Sequence, residues 1–129
     1  KRFELNGIKI KFINRAKEND MENLEIKEEQ KDNCILLTIL GNLNSYTYGL
    51  FEEKIYAAIK KADVVLDLGN VSNMSSSGLG VLMSAHDDGE DVGNEIYILN
   101  PSEIVRLAID STGFSDMFKV IHSLDEVKK

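Results

Sequence analysis

The sequence predicts an α/β fold on a mixed, mostly parallel sheet of four to five strands, preceded by a β-hairpin extension. Three observations carry this. Short apolar runs at residues 34–40, 64–68 and 95–99 are separated by longer stretches whose apolar residues recur at helical spacing. Strand and helix therefore alternate, which implies parallel strands joined by right-handed crossovers. The stretch 63–82 condenses the pattern into a Val- and Leu-rich run, a polar crossing, three serines (Ser75, Ser76 and Ser77) and a helix that starts on them. Its run 64–68, apolar apart from Asp67, has the character of a central strand covered on both faces.

Residues 1–13 form the hairpin, turning at Asn6-Gly7, where both positions tolerate positive φ. Pairing across that turn sets Leu5 against Ile8, Glu4 against Lys9 and Phe3 against Ile10, so apolar pairs share one face. A lone hairpin is marginal in water, and its apolar face is expected to dock on the body or on a second copy. Residues 14–23 are polar and read as a linker. The division is an extension at 1–20 and a domain at 21–129.

Within the domain, residues 24–28 alternate as a half-exposed edge strand, Lys31-Asp32-Asn33 turns back, and the run 34–40 ends at Gly41. Asn44 and Ser45 are candidate caps for a helix to about Lys61, with Phe51, Ile55, Ala58, Ile59 and Ala62 on one face. On the helix after the serines, Leu79, Leu82, Met83 and His86 make the inward stripe, and His86 is read as a packing residue. That helix is expected to stop near Asp88 and Gly89, leaving the acidic run from Asp87 to Asp91 in a solvated loop. Asn100 caps and Pro101 opens the next helix, with Ile104, Leu107 and Ala108 inward and Thr112-Gly113 closing it. A strand at 118–121 and a turn of helix capped by Ser123 complete the order, with the helices packed mainly on one face.

A length of 129 residues suits one domain with a real core. No apolar stretch approaches a membrane span and no signal-peptide pattern opens the chain. A single cysteine, Cys34, excludes an internal disulfide, pointing to a reducing cytoplasm and to a packing role for the thiol. A net charge of −7 argues against nucleic acid as the main partner. The balance is uneven, with +3 on residues 1–20 and −10 on the remainder.

The serine turn invites several chemistries, and spacing tests each. A nucleophile elbow needs Gly-x-Ser-x-Gly, but Met74 stands two residues before Ser76. His86 lies ten residues up the same helix, about 15 Å away at 1.5 Å per residue, and nothing in the sequence positions His122. No lysine completes a Walker loop, and no His, Cys and carboxylate cluster has metal-ligand spacing. A receiver domain would need more acidic strand ends than Asp67 alone. Gly78 and Gly80 allow another surface to come close. A serine shown without a base is better read as a residue another protein acts upon.

With residues 64–82, Asn100-Pro101, Val105-Arg106-Leu107 and Ser111-Thr112-Gly113-Phe114, the chain resembles the STAS domain family of anti-sigma factor antagonists over about residues 24–127. The resemblance implies a four- to five-stranded sheet and a regulatory binding role without enzymatic activity or cofactor. It implies that an anti-sigma factor, itself an ATP-dependent serine kinase, phosphorylates Ser76, and that a serine phosphatase resets it. Asn42, Asn44, Ser45, Ser75, Ser77, Gly78 and Leu79 are then expected at the partner surface. Two positions depart from the family pattern: Ser75 stands where an aspartate precedes the serines, and Asn44 where Gly-x-Leu-Asp ends in aspartate. The alternative these departures raise is a STAS-type interaction module, in a sensory complex or a dimer through the hairpin, without phospho-regulation.

Overall fold

The computed structural model describes residues 2–5, 8–15 and 23–127. Seven strands pair in chain order into one sheet: β1 (Arg2–Leu5), β2 (Ile8–Arg15), β3 (Leu24–Gln30), β4 (Ile35–Leu43), β5 (Val64–Met74), β6 (Ile96–Leu99) and β7 (Lys119–Ile121). The pairs from β1 to β4 are antiparallel and those from β4 to β7 parallel. Helices α1 (Tyr48–Ile59), α2 (Ser76–Val92) and α3 (Glu103–Ser111) occupy the three crossovers between parallel strands. The five strands from β3 onward are thus the mixed, mostly parallel sheet expected. The hairpin has the expected register, Leu5 opposite Ile8, Glu4 opposite Lys9 and Phe3 opposite Ile10; its Asn6-Gly7 turn and residues 16–22 lie outside the described residues.

One expectation is corrected at the sheet's margin. β3 is not an edge strand, because β2 pairs along it with Ile13 opposite Ile26 and Lys11 opposite Glu28. The hairpin continues the sheet sideways, and the edges are β1 and β7.

Both faces of the sheet's centre are covered, which explains the unbroken apolar run of β4. On one face Leu37, Ile39, Leu66, Leu68 and Ile98 join Phe51, Ile55 and Ile59 of α1, Val81, Leu82 and Ala85 of α2, and Val105 and Ile109 of α3. All three helices therefore share one side. On the other, Cys34, Leu36, Val65, Tyr97, Leu99 and Ile121 form a second cluster closed by Val127 and Leu124. Burial raises the Cys34 thiol above its ordinary pKa, with Asp63 adding to the effect. Iodoacetamide at pH 8 should accordingly label Cys34 slowly in the folded chain and rapidly in denaturant; equal rates in the two states would contradict a packing role.

Three helix boundaries differ from the sequence reading. α1 begins at Tyr48, because the Asn44 side chain is spent on the loop before it and Thr47 takes the N-cap position. α2 runs past Gly89 to Val92, and Gly93 closes it in the left-handed region at φ 78°. Gly89 is buried, and a Cβ there would meet the Asn94 carbonyl oxygen at 2.6 Å and Ile59 Cγ1 at 3.0 Å. The glycine therefore lets α2 pass close to α1 and does not end the helix. The acidic run is helical, with Asp87, Glu90 and Asp91 exposed. α3 is capped by Ser102, whose hydroxyl accepts from the Val105 N–H, and not by Asn100, which holds φ 45°. Its buried residues are Val105 and Ile109, with Ala108 half-buried against the same core as expected, while Ile104 and Leu107 are 47% and 63% exposed. Gly113 does close α3, at φ 77°, and Ser123 caps a 3-10 turn over Leu124–Glu126 in a capping box with Glu126. No helix among the described residues is long and apolar enough to cross a membrane.

Candidate modification and partner-binding site

β4 and β5 end side by side, with Leu43 opposite Met74, and the serine turn leaves from that point. The Ser75 N–H donates to the Leu43 carbonyl at 2.8 Å, and the Leu79 N–H to the Ser75 carbonyl at 3.0 Å. Ser75 is extended, at φ −94° and ψ 178°, and stands at the N-cap of α2. Its hydroxyl makes no capping bond, and Ser75 Oγ is buried without a hydrogen-bond partner. Ser76, the first helical residue, is exposed; Ser77 and Leu79 are half-buried. Gly78 is buried, and a Cβ there would lie 3.1 Å from both Leu43 Cβ and the Leu43 carbonyl oxygen. That contact seats the first turn of α2 on β4. Gly80 faces open space.

The second segment is the loop between β4 and α1. Gly41 lies at φ 110°, beside a register shift in the β4–β5 pairing. The Asn42 N–H donates to the Asn23 carbonyl at 3.0 Å, and the Ser72 hydroxyl, at the end of β5, donates towards the Gly41 carbonyl and Asn42 Oδ1, each 3.2 Å away. Asn44 turns inward. Its Oδ1 accepts from the Tyr46 N–H at 2.9 Å and its N–H donates to Thr47 Oγ1 at 3.0 Å. Thr47 Oγ1 donates in turn to the Asn42 carbonyl at 2.7 Å. Asn44 is 3% and Thr47 1% exposed, whereas Ser45 is exposed and Tyr46 and Tyr48 are 57% and 42% exposed. Short side chains that bond their own backbone hold the loop rigid and push its aromatic residues outward.

The structure thus brings together the two segments named from sequence, joined by Leu43, which touches both Ser75 and Gly78. Asn44 shapes the surface from inside. Sequence reasoning missed Tyr46, Thr47 and Tyr48, although two tyrosines in a polar loop beside the serine turn were a usable signal.

The histidines stand elsewhere. The His86 ring packs edge-on against Phe118, with centroids 5.8 Å apart. His122 Nδ1 lies 3.2 Å from Asn100 Oδ1. His86, Asp87 and Glu90 bring one ligand atom each within 4.8 Å of one another on α2, a grouping at i, i+1 and i+4 that the sequence reading did not single out.

A mixed sheet with its three helices on one face, displaying an exposed serine at a helix start beside a loop held by its own hydrogen bonds, defines an α/β domain built around a surface serine turn. The chain belongs to the STAS domain family, whose model matches residues 25–127. The anti-sigma-B factor antagonist of Bacillus subtilis (strain 168) is 28% identical over 99 residues, covering 76% of this chain and 91% of its own length. That of Staphylococcus epidermidis is 31% identical over 100 residues, covering 76% and 93%. Among solved structures, the unphosphorylated anti-sigma factor antagonist SpoIIAA superposes with a TM-score of 0.65 at 22% identity, over 78% of this chain and 90% of that one. An anti-sigma factor antagonist from Mycobacterium paratuberculosis reaches 0.69 at 22% identity, over 81% and 91%. At these identities the two structures bear on the fold.

Proposed function

We propose that this chain is an anti-sigma factor antagonist that binds an anti-sigma serine kinase through the serine turn and the 41–48 loop and is switched off by phosphorylation of Ser76. The observation that carries the reading is the exposure of Ser76 at the first position of a 17-residue helix, on a turn pinned to Leu43. Relatives named anti-sigma-B factor antagonist support it. A phosphate on Ser76 would add a charge of about −1.5 to −2. The positive end of α2 tolerates that charge within the fold, whereas a partner surface fitted around Tyr46, Tyr48 and Leu79 does not. Release then follows from local repulsion and bulk, without refolding, and a serine phosphatase restores binding. The chain acts here as a substrate and binding partner and supplies no catalytic group.

Incubation with the anti-sigma kinase and ATP, followed by peptide mass mapping, should place one phosphate on Ser76. Ser76→Asp should weaken kinase binding at least about tenfold, and Ser76→Ala should bind while resisting modification. Phosphate at another residue, or unchanged binding by Ser76→Asp, would refute the switch.

A second reading, an interaction module in a sensory complex or dimer without phospho-regulation, is favoured by Ser75 and Asn44. Both are uncharged where the family pattern has aspartates; Asn44 is buried and bonded to its own loop, and the Ser75 hydroxyl is buried without a hydrogen-bond partner. It predicts an unmodified Ser76 with intact binding. Light scattering of the full chain and of a Phe3→Lys, Leu5→Lys variant would show whether the hairpin mediates self-association.

A further inference from the structure

Over β7 the helix layer stops short. Val120 lies opposite Ile98 in the β6–β7 pairing, yet Ile98 is fully buried and Val120 is 49% exposed. The space between α3 and β7 is a cavity of about 510 Å³, within the range of small-molecule sites. Phe118 and Val120 supply apolar lining, and Asn100, Arg106, Asp110 and His122 supply polar groups. The cavity runs along β7 from Phe118, before the strand, to Asn100 and His122 just past the carboxyl ends of β6 and β7, the end at which parallel α/β sheets hold ligands. No residue of the serine turn lines it.

Two of its polar groups, Asn100 and His122, are held by hydrogen bonds, while Arg106 and Asp110 stand exposed on α3. Asn100 adopts φ 45°, with its N–H donated to the Ile121 carbonyl at 3.0 Å. His122 Nδ1 lies 3.2 Å from Asn100 Oδ1, and the His122 backbone N–H donates to Glu126 Oε2 at 2.7 Å. With its Oδ1 occupied, the Asn100 amide keeps Nδ2 as a donor. The start of α3 is fastened by the Ser102 hydroxyl, which donates to the Val71 carbonyl at 2.9 Å and accepts from the Val105 N–H at 3.3 Å. Arg106 and Asp110 sit one turn apart on α3, a spacing at which such residues commonly pair. Among the described residues the ion pairs lie elsewhere, and these two do not join.

We propose that this cavity binds a small zwitterion with an apolar body, an amino acid. The ligand carboxylate takes Arg106 and Asn100 Nδ2, its ammonium takes Asp110, and its side chain lies on Phe118 and Val120. A simple anion would meet the Asp110 charge and a simple amine that of Arg106. A ligand carrying both charges pairs with both residues at once. His122 is a positioning residue, orienting the Asn100 amide.

The test is an amide-resolved NMR titration of the full chain with alanine, valine, leucine, methionine and phenylalanine. The larger apolar amino acids should give saturable shifts at Asn100, Arg106, Asp110 and His122, while Ser76→Asp protein titrates identically. Isoamylamine and 4-methylvalerate, each lacking one charge of leucine, should bind at least about tenfold more weakly. Arg106→Gln and Asp110→Asn, both at exposed positions, should each weaken leucine binding about tenfold with the rest of the spectrum preserved. Absence of saturable shifts up to about 10 mM for all five amino acids, or either variant titrating like the parent, overturns the assignment.

Discussion

Gly41→Ala is expected to lower stability by about 2–4 kcal/mol, through strain and steric conflict together. The position holds φ 110°, where an L side chain is strained whatever the space around it. Space is lacking as well: a Cβ would press into the Asn23 carbonyl, and would lie 3.3 Å from Leu24 Cα. Both obstacles are backbone at the start of β3, which pairs here with Leu24 opposite Gly41. The alanine therefore forces either the end of the β3–β4 ladder or the Gly41 peptide to move. If the peptide moves, Asn42 and the loop behind the serine turn move with it. Urea unfolding followed by far-UV circular dichroism should show a lower midpoint with native secondary structure retained before the transition. An unshifted midpoint would mean the conformation at Gly41 is not required.

Leu43→Ala should be similarly costly, about 3–5 kcal/mol, the range for a fully buried leucine that leaves a cavity. Leu43 is 0% exposed, and it is the residue over which Gly78 seats the start of α2. Its removal takes away both core packing and the support under Ser76. If the turn loosens before the domain does, the expected signature is a loss of binding to the proposed kinase partner at temperatures where the variant is still folded. A variant that is destabilised but binds normally while folded would show that Leu43 supports the core alone. Titration calorimetry, set beside thermal unfolding, separates the outcomes.

The parts of this fold that were legible in the sequence are those in which one residue pattern admits one answer. Asn6-Gly7 has a single favoured hairpin pairing, and the register follows it residue by residue. The apolar run 34–40 reads as a doubly covered strand because β4 contributes Leu37 to one cluster and Leu36 to the other. In α1, Phe51, Ile55, Ala58 and Ile59 fit only one stripe, and all four are buried.

Where two answers satisfy the same pattern, tertiary packing chose between them. α3 has apolar residues at 104, 105, 107, 108 and 109, enough for two overlapping stripes. The Ser102 anchor to Val71 turns Val105 and Ile109 inward and leaves Leu107 in solvent. Asn44, Ser45 and Thr47 could each have capped α1, and the choice rests on Asn44 reaching the Tyr46 N–H first. Gly89 looked like a stop because helix glycines often are. Its reasons are the chain's own return at the Asn94 carbonyl and the passage of Ile59, the latter a contact between residues far apart in the chain. The serine turn itself was legible, but the aromatic rim of Tyr46 and Tyr48 depends on how its loop folds back.

The closure of the second apolar cluster has a consequence for how the molecule breathes. Leu124 and Val127, carried by one 3-10 turn and the segment after it, cover Val65, Tyr97 and Leu99. So short a cover holds few backbone hydrogen bonds of its own, and such segments open at free energies well below that of global unfolding. The rear of the sheet is thus where amide exchange and proteases should first gain entry. The serine turn lies at the far ends of β4 and β5, anchored in the helix-side core. Transient loosening at the rear can therefore come and go while the surface offered to a partner keeps its shape.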